Sequence, residues 1–365
     1  MTKMNGNTMK KTALQNSIAL HRIVAWIAML FLLLPLSGCT ARYELHQIEY
    51  FDVFDTRVTF SGYAESEAEF ETYASIIHDE LFRLHRLFDI YHNYEGIANL
   101  KTINDNAGIE SVAVDASIID LLETGVQAYE LSQGTVNIAM GAVLSLWHDQ
   151  REAGRNASAT RLPSDTALQE AARHTSLDDL QIDSEKKLVF LRDKEMSLDV
   201  GAIAKGFAAQ SAIDRAKEAG LSAGILDAGG NVCVVGTPFD GRAHWRIGVQ
   251  NPKLSSADAQ NIFDVLTIDG DASVVTSGSY QRYYTVAGHA YHHIIDPHTL
   301  YPAEQVEGVT IIHPSSIMGE ILSTAAFILP YESACALVES QHAQAIWIYA
   351  DGSAKTTANY PGQLQ

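Results

Sequence analysis

Two hydrophobic periods run through residues 44–365 of this chain, and they do not follow one another as a regular alternation of strand and helix. Residues 57–60 (RVTF), 188–191 (LVFL) and 245–249 (WRIGV) have the alternating or short apolar patterns of strands. Phe70, Ala74, Ile77, Leu81, Leu84 and Phe88 recur at helical spacing. So do Ile118, Leu121, Leu122, Val126 and Tyr129, with Asp115 placed to cap that second helix. An alanine-rich helix is predicted over 202–219, closed by Gly220, and another over 316–329, stopped before Pro330. Elements mixed in this way predict an α+β fold of layered mixed sheets with flanking helices, not a Rossmann sheet. In agreement, no G-x-G-x-x-G follows a strand and no G-x-x-x-x-G-K-[ST] occurs. No Pro/Gly/Ser-rich linker, repeat or long charge run interrupts 44–365, so a single domain over 49–365 is expected.

The amino terminus reads as an address. Residues 23–36 (IVAWIAMLFLLLPL) are an apolar run behind a segment that carries Lys3, Lys10, Lys11 and Arg22 and no acid. The run has the length of a signal-peptide core and is short for a bilayer span. Leu36-Ser37-Gly38-Cys39 follows, and small residues before a lone cysteine resemble the bacterial lipobox. That resemblance implies a lipoprotein signal peptide over 1–38, a diacylglyceryl group on Cys39 and a lipidated tether over 39–48. The body would then be held at the extracytoplasmic face of the cell membrane by acyl chains. An uncleaved anchor helix is the alternative, and it puts the body on the same side. Removing 1–38 leaves 21 basic against 44 acidic residues, a net charge of −23. So acidic a body has no surface suited to nucleic acid. Three cysteines are too few for a disulfide scaffold. Cys233 and Cys335 read as buried free thiols, although an exported compartment would permit a bond between them.

Four segments carry candidate chemistry. Residues 197–206 (SLDVGAIAKG) read as a strand meeting a small-residue turn that opens a helix, a junction that offers N–H groups to an anion. Asp199 precedes the turn, and Lys205 is placed to accompany a phosphate or pair with a carboxylate. Gly229-Gly230-Asn231 sits between apolar runs, where it makes either a plain hairpin turn or a close backbone approach to a ligand. Residues 276–302 gather four of the fourteen histidines, among them His292 and His293. Without an H-E-x-x-H helix or a cysteine pair, zinc is the lesser reading there, and a base or phosphate-contacting histidine the better one. Glu320 and Thr324, spaced i,i+4, put a carboxylate and a hydroxyl on one helical face beside Ser323. These are oxygen donors of the kind magnesium takes, or else an exposed glutamate and a threonine bonded to its own helix.

In their order along the chain these segments resemble the ApbE family of FAD:protein FMN transferases. The family's D-x-G-G-I-A-K-G element is similar to Asp199–Gly206, its G-G-N to Gly229-Gly230-Asn231 and its T-S-G-x-Y to Thr276–Tyr280. Its H-I-x-D-P is similar to residues 293–297, its A-D-A-L-S-T helix to residues 319–324, and its G-x-F-D-P-T…L-W stretch to residues 134–138 followed by Leu146-Trp147. The resemblance implies a T-fold-type architecture and a transferase that moves the FMN half of FAD onto a threonine or serine hydroxyl of an acceptor protein, releasing AMP. It implies magnesium or another divalent cation held by the Ala202 backbone, Glu320 and Thr324, with Ser323 adjoining. It places FAD against Tyr91, Thr135, Val136, Asn137, Asp199, Lys205, Gly229, Gly230, Asn231, Ser277, Gly278, His293 and Asp296. Tyr91 would stack on the flavin, and His293 would be the base for the incoming hydroxyl. Two other functions would use the same site: hydrolysis of FAD to FMN and AMP, and FAD capture without turnover. Four positions depart from the family pattern. Glu320 replaces aspartate, Ala202 glycine, Asn137 aspartate, and Leu300 the glycine of a D-P-x-T-G turn.

Overall fold

Eight strands form the central sheet, in the order Glu44–Tyr50, Val58–Ala64, Gly224–Ala228, Asn231–Val235, Ala272–Gly278, Gly308–His313, Gln344–Ile348 and Ala354–Thr356. Every neighbouring pair runs antiparallel. The computed structural model describes residues 43–156, 161–254 and 261–364. Residues 1–38, read above as a signal segment, and Cys39 lie outside the described residues. Contacts gather Tyr43–Gln365 into one compact unit.

The two faces of the sheet are covered differently. Trp245–Gln250 and Ile262–Ile268 form a hairpin whose inward side chains, Trp245, Ile247, Val249, Leu266 and Ile268, bury against Tyr63, Val234, Val274 and Ile346 of the sheet. Strict alternation of buried and exposed residues along Trp245–Gln250 is the period-two pattern at work. The other face lies under the helices Glu67–Phe88, Ala204–Glu218 and Ser316–Ile328. Helix Glu67–Phe88 begins where the Ser66 hydroxyl accepts the Glu69 N–H, and it buries Phe70, Ala74, Ile77, Leu81, Leu84 and Phe88, the stripe its spacing predicts. Helix Ala204–Glu218 turns Ala204, Ala208, Ala209, Ala212 and Ala216 inward. Such small side chains let neighbouring helices approach closely. Asp115 caps Ala116–Leu131, accepting the Ser117 N–H at 2.8 Å. Between Val58–Ala64 and its partner Gly224–Ala228 the chain inserts, among others, the helices Glu67–Phe88, Ala116–Leu131 and Ala204–Glu218 and a small sheet of Val112–Ala113, Leu188–Leu191 and Leu180–Asp183. The result is a layered α+β molecule.

Three expectations shift. Glu44–Tyr50 is a paired strand, so the folded body starts within the stretch 39–48 read as tether. Residues 197–200 are extended but join no strand. Their backbone is held piecemeal, Asp199 N–H by the Ile138 carbonyl at 2.8 Å and Leu198 N–H by the Asn104 side chain at 2.7 Å. Cys233 is a buried free thiol and Cys335 a half-buried one, so the permitted disulfide is not formed.

Candidate functional site

A cleft of about 1160 Å³ collects residues from separate parts of the chain. Tyr91, Thr135, Val136, Asn137, Asp199, Ala202, Lys205, Gly229, Gly230, Ser277, Gly278, His293, Glu320, Ser323 and Thr324 all line it. Asn231 and Asp296 do not. The Asn231 side chain is buried under the sheet, where its Oδ1 accepts from the Ser316 hydroxyl at 2.5 Å. Asp296 serves its own turn, accepting the His298 N–H at 2.8 Å and, through its carbonyl, the Leu300 N–H at 2.8 Å.

Gly229 and Gly230 connect two hairpin strands with φ of +64° and +88°, the paired left-handed values of a tight hairpin turn. A Cβ on Gly229 would collide with the Thr56 hydroxyl. The hairpin-turn reading holds, Gly229 is pressed against Thr56, and the turn edges the cleft. Asp227 anchors it by accepting the Gly230 N–H at 3.0 Å.

The junction at 199–206 and the Glu320 helix meet through one carboxylate. Glu320 is 3 % exposed, not the solvated glutamate of the bland reading. One of its oxygens accepts from the Lys205 ammonium and the other from the Gly206 N–H. In an unbroken helix that N–H would bond back four residues, to the Ala202 carbonyl. The helix starts only at Ala204, so this first-turn N–H has no acceptor in its own helix and Glu320 caps it, while the Ala202 carbonyl ahead of the helix has no hydrogen bond among the described residues. Gly206 has to be glycine, since a Cβ there would sit 2.7 Å from the Ser316 carbonyl and 2.8 Å from Glu320 Oε2. Thr324 faces the same cleft and its hydroxyl has no hydrogen bond among the described residues, to its own helix or elsewhere. Ser323 is occupied, bonded to Ser277 Oγ at 2.9 Å and the Glu320 carbonyl at 3.0 Å. A free carbonyl, a free hydroxyl and a carboxylate are hard oxygen donors, which suit a small divalent cation. Among the described residues no group of three His, Cys, Asp or Glu side chains could hold a metal.

His293 Nδ1 contacts the Arg282 carbonyl at 3.2 Å. A carbonyl only accepts, so Nδ1 carries the proton and Nε2 keeps the lone pair. Burial pushes this imidazole down to about 3, helped by the charges of Arg282, His292, Arg151 and Lys205. Burial raises the Asp199 carboxyl above its ordinary value, against a bond from the Gly201 N–H and the charges of His148, Arg151 and Arg282. Asn137 is committed to local structure, its amide donating to the Thr175 carbonyl at 3.0 Å and its oxygen accepting the Ala139 N–H at 2.8 Å. Leu300, where glycine was expected, adopts φ +65°, the conformation a glycine would take there. Its carbonyl accepts from the Trp147 indole at 3.0 Å, and its side chain is buried in a cluster with Trp147 and Tyr284.

The sequence reading missed one wall of the cleft. Met140, Leu144, Trp147, His148 and Arg151 line it at helical spacing on Gly141–Asn156 and the residue before it. That period was legible from Leu144 onward. Phe54, Asp55, Thr56, Tyr280 and Arg282 also line the cleft. Tyr91 stacks on His148 with ring centroids 4.7 Å apart.

The model of the ApbE family matches residues 54–347. FAD:protein FMN transferase from Treponema pallidum is 33 % identical over 273 residues, covering 71 % of this chain and 73 % of that protein. FAD:protein FMN transferase from Klebsiella pneumoniae is 31 % identical over 272 residues, covering 72 % and 80 %. The crystal structure of the ApbE protein from Thermotoga maritima superposes with a TM-score of 0.75 at 27 % identity, over 86 % of this chain and 97 % of that one. The flavin transferase ApbE from Vibrio cholerae, at 21 % identity, shares the fold with a TM-score of 0.72, over 87 % and 98 %. With the family's motifs converging on one cleft of a shared fold, the chain belongs to the ApbE family.

Proposed function

We propose that this chain is an FAD:protein FMN transferase, exported as a lipoprotein and anchored through Cys39, that uses magnesium or another divalent cation. The reading is supported above all by the gathering of Asp199, Lys205, His293, Glu320 and Thr324 around one cleft large enough for a dinucleotide. In the reaction an acceptor threonine or serine oxygen attacks the FMN-side phosphorus of FAD. The new P–O bond forms as the bond to the AMP phosphate breaks, AMP leaves with that oxygen, and the hydroxyl proton passes to Nε2 of His293. Nδ1–H, fixed by the Arg282 carbonyl, keeps the imidazole in the tautomer this needs. A divalent cation held by the Ala202 carbonyl, Glu320 and Thr324 supplies charge neutralisation to the diphosphate when bound. Tyr91 would offer its aromatic ring to the flavin.

Incubating the mature protein with FAD, magnesium and an acceptor carrying a flavinylation-type threonine or serine should give a covalently fluorescent acceptor band. Bound FAD without such a band would overturn transfer, and AMP release without any acceptor would make the protein a hydrolase.

A further inference from the structure

Arg151 belongs to none of the motifs above, yet it lines the cleft. Its side chain is 16 % exposed, and its Nε is buried with no hydrogen-bond partner among the described residues, facing the Glu152 carboxylate at 3.7 Å, too far for a hydrogen bond. Nη2 donates to His148 Nδ1 at 2.9 Å, and the Tyr91 hydroxyl approaches the same nitrogen at 3.3 Å. A guanidinium only donates, so His148 accepts through Nδ1 and holds Arg151 in place. Arg282 lines the same cleft and has no ion pair among the described residues.

Glu152 pairs loosely with Arg151, at 3.7 Å from Nε, and Arg282 is left as positive charge beside the base with no ion pair among the described residues. Arg282, Arg151 and Lys205 all bear electrostatically on His293. Lys205 is neutralised by Glu320, and the carboxyl that faces both arginines, Asp199, is disfavoured in its charged form by burial. In a body that is otherwise strongly acidic, such a charge needs an anion. The phosphorus under attack must lie within reach of the hydroxyl whose proton His293 takes, and its oxygens therefore lie beside these cations.

We propose that Arg151, positioned by His148 and assisted by Arg282, binds the FMN-side phosphate of the dinucleotide. This deepens the transferase reading and rests on it. A planar fork with unused donors suits phosphate oxygens, and such charge-assisted bonds are strong where water is scarce. A bound phosphate also offsets the push of both guanidiniums on His293, which moves the imidazole back toward the range a general base requires.

The experiment compares FAD, FMN and riboflavin binding to the full mature protein by flavin fluorescence quenching, with chelator and with magnesium, for the wild type, Arg151→Gln and Arg151→Lys. Arg151→Gln should weaken FAD and FMN by about 10- to 100-fold even with chelator present, while riboflavin, which has no phosphate, changes less than about twofold. Arg151→Lys should recover part of the loss, and thermal melts should show both variants folded. An equal loss for all three flavins would put Arg151 on the ring or in the scaffold and overturn the proposal. Unchanged affinity for all three, with slower transfer to acceptor, would assign the guanidinium to an acidic group of the acceptor and overturn it too. A wild type that binds none of the flavins would sink the transferase reading itself, a result distinct from either.

Discussion

Glu320 shows how one extra methylene is absorbed. The longer side chain reaches past the position an aspartate would hold and lands on the Gly206 N–H and the Lys205 ammonium. Lys205 is thereby a competitor for any cation that Glu320 would ligate. Lys205→Met should lower the metal-free melting temperature, because a buried carboxylate loses its partner, and should enlarge the rise in melting temperature on adding magnesium. Differential scanning fluorimetry checks both, and a smaller magnesium response than wild type would contradict the competition. His293 carries a second prediction. Its folded value near 3 lies below its ordinary 6.5, so between those limits the unfolded chain binds the proton and the folded chain does not. Stability is full above about pH 6.5 and falls as pH drops toward 3. Burial pushes His292 and His313 down as well, in the same sense, whereas Asp199 and Asp227, raised by burial, act in the opposite one. His293→Gln should therefore lose less melting temperature than wild type between pH 7.5 and 5. Parallel losses would mean that the imidazole is not held neutral.

The turn after Asp296 lets two element-level effects be weighed. Leu300 pays for a left-handed backbone at φ +65°, a strain of about 1–2 kcal/mol for a residue with a Cβ. Its side chain is 6 % exposed and fills space beside Trp147 and Tyr284; emptying such a site costs about 2–5 kcal/mol. The cavity term exceeds the strain term, so Leu300→Gly should destabilise the protein by about 1–3 kcal/mol in urea unfolding despite restoring the usual residue. A stabilised variant would show that the strain dominates. The helices were largely legible because their apolar stripes and caps are local. Ser316–Ile328 and Ala204–Glu218 lie within two residues of the predicted 316–329 and 202–219. The segment 197–200 misled because its apolar residues are buried without a strand partner, and apolar alternation cannot tell a ladder from an extended connection held by Asn104 and the Ile138 carbonyl.

Across the molecule, strands far apart in sequence are neighbours in the sheet, and the cleft forms where their connections meet. No described helix is long and apolar enough to cross a membrane. If Cys39 carries the anchor, Cys39→Ser should move the protein from the membrane fraction to the soluble fraction on cell fractionation and abolish acyl labelling. A variant still retained in the membrane would favour an uncleaved amino-terminal helix.

Which side chains gather at the cleft could be read from order and type along the chain, because Asp199, Lys205, His293, Glu320 and Thr324 sit in short motifs whose local geometry is encoded within a few residues. What those side chains do to one another could not. That Glu320 is buried, that Lys205 and Gly206 claim its oxygens, that Asn231 and Asp296 support the frame without lining the cleft, and that Arg151 and Arg282 share a cleft with His293 all depend on contacts between distant segments. Burial, charge pairing and desolvation belong to such contacts, and they arise only once the sheet brings the segments together.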